Sequence, residues 1–155
     1  MAFSRPHFRS LIERTLSEMA LALSDLRLNS PAAVELLEAT CAQESHYGTY
    51  LRQINRGPGR GIFQIEHREH FDYLRRTYGD RIPILRTATF DQLEWDLKLS
   101  IVIARLWYWE APDPLPPAGD REGQWLYYKR HFNSLMGKAT REQFMDNFRR
   151  YITME

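Results

Sequence analysis

The 155-residue chain is short of the features that most quickly assign a class. It has a single cysteine, Cys41, and only three of its 21 basic residues are lysine. One cysteine excludes an intramolecular disulfide and any cysteine-rich zinc site. No apolar run approaches the roughly 18 residues a transmembrane helix needs, so membrane insertion is not expected. The opening stretch, Met-Ala-Phe-Ser-Arg-Pro-His-Phe-Arg, has no apolar h-region, and the segment from Met19 to Leu23 is short and bounded by Glu18 and Asp25. An ordinary signal peptide is therefore not expected, and the chain is expected to be made in the cytoplasm. Neither sign of charge dominates: 21 basic residues face 20 acidic ones, for a net charge of +1. That balance argues against a dedicated nucleic-acid binder and against an acidic solvating segment.

What is present points to one folded unit. Apolar residues make up 43% of the chain and aromatics 13%, enough for a single domain spanning 1–155 without a disulfide or metal staple. Within it, 1–29 reads as an N-terminal helix, 30–135 as the core and 136–155 as a C-terminal helix. The surplus of arginine suits anionic partners, because the guanidinium presents a rigid fork to carboxylates and phosphates. Codon usage of a GC-rich genome explains it equally well. His67 and His70 place two imidazoles on one helical face with no third ligand in view, so no metal and no cofactor is expected.

Helical periodicity covers most of the chain, and the class is mainly α. Residues 5–24 carry Phe8, Leu11, Ile12, Leu16, Met19 and Leu23 at helical spacing. Residues 31–46 form a second helix, with Ser30 as cap and Pro31 in its first turn. Gly48 lies where a left-handed C-cap would fall. Residues 67–78, 91–109 and 121–132 read as helices, and Thr140-Arg-Glu-Gln143 fits a capping box opening a last one through Tyr151. The segment Leu97 to Trp109 is apolar nearly all round, as in a buried central helix, and Trp95, Trp107 and Trp109 are expected in the core. Gly57, Gly59 and Gly61 mark a small β-hairpin or irregular insert between helices two and three. The proline-rich stretch Ala111 to Gly119 reads as a rigid loop.

The informative stretch is 44–66. Val34, Leu37, Cys41 and Glu44 fall on one stripe of the second helix, so Glu44 continues an apolar face at the last turn. Burial disfavours its ionised form, and so does the negative end of the helix dipole. Both raise its pKa, and a carboxyl still protonated near neutral pH is what a general acid needs. Gln64 and Glu66 alternate with Phe63 and Ile65, so both polar side chains can face one cleft. An ion pair to Arg52, Arg56 or Arg60 is the plain structural alternative for Glu44. For Glu66 the alternative is a pair with Arg68 or His70.

Glu44-Ser45-x-x-Gly48 followed by Gly61-Ile62-Phe63-Gln64-Ile65-Glu66 resembles the soluble lytic transglycosylase and goose-type lysozyme family. A third family motif, an aromatic-Asn pair, is echoed by Tyr127, Tyr128, Phe132 and Asn133. The likeness covers roughly residues 30–135. It implies a lysozyme-like α fold and cleavage of the β-1,4 bond between N-acetylmuramic acid and N-acetylglucosamine in peptidoglycan strands. It assigns Glu44 as acid/base, Ser45 to orienting that carboxyl or lining the cleft, Gln64 to contacting saccharide, and Phe132 and Asn133 to contacting sugar or supporting the site. Phe132 departs from the family's usual Tyr, so the missing hydroxyl is absent or comes from Tyr127 or Tyr128. Inverting hydrolysis needs a second carboxylate about 6.5–9.5 Å from the first, and Glu66 is the candidate. Without it, the substrate's 6-hydroxyl closes on the anomeric carbon and leaves a 1,6-anhydro product. Tyr47, Tyr50, Phe63, Tyr127 and Tyr128 are further aromatics for a saccharide cleft. The lack of a signal, combined with this substrate, suggests a monomeric phage product that reaches the periplasm or cell wall at lysis or in the virion. A non-catalytic virion or structural protein that kept the fold is the alternative.

Overall fold

In the computed structural model, which describes residues 3–133 and 136–154, the chain is mainly helical. The boundary drawn after residue 135 falls outside the described residues. Six helices follow in order: α1 (Arg5–Ala22), α2 (Pro31–Ser45), α3 (Arg68–Tyr78), α4 (Leu97–Trp109), α5 (Arg121–Tyr128) and α6 (Arg141–Phe148). Helix α4 packs against α1, α2 and α3, and α2 also packs against α5 and α6. Among the described residues no helix is long and apolar enough to cross a membrane.

The local signals act where the residues predict. The Ser30 side chain accepts the N–H of Ala33 at 3.1 Å, and Pro31 opens α2. Pro31 has no N–H to leave unsatisfied in that first turn. At α6, Thr140 and Gln143 exchange both bonds of the capping box. Helix α4 spans only the apolar part of the helix expected over 91–109. A short turn at Asp91–Glu94 comes first, and the chain reopens as a helix only after Asp96, whose carboxylate accepts the N–H of Leu99 at 2.9 Å. Trp95 sits in that break and is 67% exposed, which corrects the expectation that it lies in the core. The other two tryptophans of this segment are half-buried at the edges of cavities, and the tryptophan that does enter the core is Trp125.

Helix α2 ends at Ser45, and the left-handed backbone begins at His46 rather than at Gly48. His46, Tyr47 and Gly48 all have positive φ, at 50°, 57° and 86°. Ser45 holds this sharp exit: its hydroxyl donates to Cys41 O at 3.1 Å and accepts the N–H of Gly48 at 2.9 Å. The exit drops the Tyr47 ring into the core, fully buried, where its hydroxyl donates to the Glu38 carboxylate at 2.9 Å.

The glycine-rich insert is irregular. Two isolated antiparallel bridges, Arg52 with Arg60 and Arg60 with Ile65, are its only β pairing among the described residues. Gly61, at φ 77°, seats the insert on the turn preceding α4. A Cβ there would lie 2.3 Å from Leu93 O and 3.0 Å from Ser100 Oγ, so only glycine allows this approach. Beyond it, Gln64 adopts φ 49°, an uncommon value for a non-glycine residue. Its amide holds that conformation by donating to Gly61 O at 2.8 Å.

Candidate functional site

The end of α2, the end of the insert, α4 and the turn after α5 meet at one small cleft. It is lined by Glu44, Gln64, Ile65, Glu66, His67, Trp107, Phe132 and Asn133, and its volume is about 70 Å³. Five residues singled out in the sequence are thus brought together: Glu44, Gln64, Glu66, Phe132 and Asn133.

Glu44 keeps an edge open to this cleft while its carboxyl sits among protein atoms. Burial, reinforced by the charge on Glu66, pushes it up to about 7. Tyr128 works in the opposite direction, donating its hydroxyl to Glu44 Oε1 at 2.6 Å. The proton stays on the phenol because burial and the neighbouring Glu44 push Tyr128 far above its ordinary value. Of the two tyrosines left open as hydroxyl donors, Tyr128 is therefore the one that reaches the carboxyl. Tyr127, one residue earlier, points to another face and donates to Asp113 O at 2.8 Å.

The arginine alternative does not hold. Arg52 and Arg60 both turn to Glu94, at 2.9 and 3.1 Å, and Arg56 is exposed with no ion pair among the described residues. Glu66 is exposed, and its proposed partner Arg68 instead approaches Asp91 at 3.4 Å and lies over the Phe90 ring. Of the eight arginines in residues 52–86, Arg52, Arg60 and Arg68 are met by the acids Glu94 and Asp91 of the next segment.

Several expected positions fall elsewhere. The Ser45 hydroxyl bonds to Cys41 O and Gly48 N–H at the helix end rather than to the Glu44 carboxyl, and Ser45 is not among the residues lining the cleft. Tyr47 and Phe63 are fully buried core residues, and Tyr50 lies beside His46, with ring centroids 5.3 Å apart. Phe132 fills the wall between Trp107, Tyr108 and Tyr128, at centroid distances of 5.8, 5.3 and 6.0 Å. Asn133 is held by Lys129 Nζ at 2.9 Å. Both residues are presented by a π-helical turn, Lys129–Asn133, that prolongs α5. Such wider turns shift the helical register and recur at functional sites.

His67 and Trp107 were not anticipated as cleft residues. The His67–His70 spacing singles His67 out only as a metal ligand. Trp107 lies on a helix apolar nearly all round, where periodicity does not single out a face. Its indole carries the His70 ring edge-on at 4.1 Å. Among the described residues no group of three or more His, Cys, Asp or Glu side chains is arranged to hold a metal ion.

The arrangement offers a protonatable carboxyl near neutral pH, a second carboxylate at the same cleft, an amide and an indole face. Against known proteins, the chain matches no family model, no curated protein and no solved structure.

Proposed function

We propose that the protein is a peptidoglycan-cleaving glycosidase with a lysozyme-like fold, and that Glu44 is its general acid. The observation that carries this reading is the state of Glu44: partly open to a cleft, raised to about 7, and partnered by a neutral phenol rather than a cation. Tyr128 occupies Oε1, which leaves Oε2 to carry the transferable proton. That proton passes to the glycosidic oxygen as the bond to the anomeric carbon breaks. Gln64, Trp107 and Asn133 would border the saccharide.

The fate of the anomeric carbon depends on Glu66. If Glu66 takes a proton from water, the water oxygen adds to that carbon and the product has a reducing end. Otherwise the Glu44 carboxylate takes the proton of the sugar's 6-hydroxyl, whose oxygen closes the 1,6-anhydro ring. Such an enzyme would act on the cell wall, as a phage product delivered at lysis or in the virion. The small volume at Glu44 favours a second reading, a virion or structural protein that kept the fold without activity.

Mass analysis of purified peptidoglycan after digestion separates these readings. Soluble muropeptides with reducing or anhydro ends are expected. An undigested wall would leave the non-catalytic reading. Reducing ends that disappear in Glu66→Gln would assign the base, and anhydro ends unaffected by it would assign the transglycosylase route.

A further inference from the structure

A cavity far larger than the cleft at Glu44 lies elsewhere on the molecule. It holds about 740 Å³ and opens between α4, α5 and the proline-rich loop. Cavities that take small organic ligands run from about 300 to 1,000 Å³. The aromatic rings of Tyr108, Trp109 and Tyr127 and the rings of Pro112 and Pro114 wall it. Tyr127 and Tyr128 are consecutive on α5 and serve different sites, the first this cavity and the second Glu44.

One charged side chain in this cavity is 2% exposed and lacks a counterion. Arg105 projects from α4, donating from Nε to Leu28 O at 2.8 Å and from Nη2 to Arg27 O at 3.3 Å. Among the described residues, its buried Nη1 has no acceptor and no carboxylate pairs with it. The other charges at the cavity are already matched. Asp25 takes both Nε and Nη2 of Arg27, at 3.0 and 2.7 Å. Asp113 is taken by His131 at 2.8 Å and approached by Arg130 at 3.4 Å. One positive charge is left over. The guanidiniums of Arg105 and Arg27 both lie 5.4 Å from the centroid of the Trp109 ring, which fixes them beside the apolar wall.

We propose that this cavity binds a small organic monocarboxylate with a flat apolar body, its carboxylate on Arg105 and its body against Trp109 and the prolines. A single unmatched guanidinium suits one negative charge better than the two of a phosphate monoester. Its planar fork also fits a carboxylate. Burial lowers Arg105 only to about 10, so it stays charged at neutral pH. The site is independent of the glycosidase reading.

Titration of the intact protein with phenylacetate, phenylacetamide and phenyl phosphate, followed by NMR of the Trp109 indole, tests this. Phenylacetate is expected to bind at millimolar concentration or below, with the uncharged amide at least about tenfold weaker. Ala32→Trp, which fills the cavity and leaves Arg105 in place, is expected to abolish binding, while Glu44→Gln leaves it unchanged. Arg105→Met should abolish it too, and the Ala32 variant decides the matter if that protein does not fold. No phenylacetate binding, equal binding of acid and amide, tighter binding of phenyl phosphate, or binding that survives Ala32→Trp would each overturn the proposal.

Discussion

Glu44 and Tyr128 form the chemical pair on which the site rests, and each can be altered without changing its shape. For a carboxyl raised in the folded state, the native protein holds its proton more tightly than the unfolded chain does. Stability is then lost as pH rises from the ordinary carboxyl range through about 7. Glu44→Gln removes that penalty. It should stabilise the protein by about 2 kcal/mol more at pH 8 than at pH 5, seen as a gap between denaturation midpoints that widens with pH. Tyr128→Phe removes a bond that favours the ionised carboxyl. The Glu44 titration should move to higher pH at a cost of about 1 kcal/mol in stability, and a downward shift in an NMR titration would contradict the assignment. Glu44 was legible because helical spacing alone put it on the buried stripe. Choosing between Tyr127 and Tyr128 was not possible in the same way. Adjacent residues on a helix point about 100° apart, and only the packed partner says which of them faces the carboxyl. Ser45 misled for a related reason, since the hydroxyl beside a catalytic candidate serves the sharp exit from the helix.

Elements begin and end where short-range chemistry dictates, and those points were the most readable. Ser30, Thr140 and Gln143 act through bonds spanning three residues and Pro31 through its missing N–H, so their roles follow from spacing. Thr140→Ala should cost about 1 kcal/mol and loosen the start of α6, measurable as faster amide exchange there. The break at Trp95 carries a local mark in the Asp96 carboxylate that caps Leu99, whereas no residue type in Lys129–Asn133 marks the π-helical turn after Tyr128. Gly61 joins the two levels. Its positive φ, and the 2.3 Å at which an added Cβ would meet Leu93 O, predict that Gly61→Ala destabilises by about 3 kcal/mol or more and displaces the insert carrying Gln64 and Glu66. Loss of under about 1 kcal/mol on chemical denaturation would show that the contact relaxes freely.

Across the whole molecule, a fully buried carboxylate on α2 anchors the N-terminal helix to the element that ends in the site. Glu38 receives Arg5 at 3.0 Å, Arg9 at 2.6 Å and the Tyr47 hydroxyl. Removing the charge strips Arg5 of its partner and leaves Arg9 with Glu13 alone, and Glu38→Gln should destabilise by about 2–3 kcal/mol, with α1 the first element to lose exchange protection. This cluster was not legible, since a carboxylate and two arginines about 30 residues apart look like ordinary surface charges until the helices pack. The helical class was legible because apolar spacing repeats in every segment. At this scale the proposal to test is that Glu44 protonates the glycosidic oxygen of a cell-wall glycan. The most direct test compares soluble product released from purified peptidoglycan by the wild type and by a folded Glu44→Gln variant. Release by the wild type and a loss of at least about 100-fold in the variant are expected. Equal release by the two proteins would contradict it.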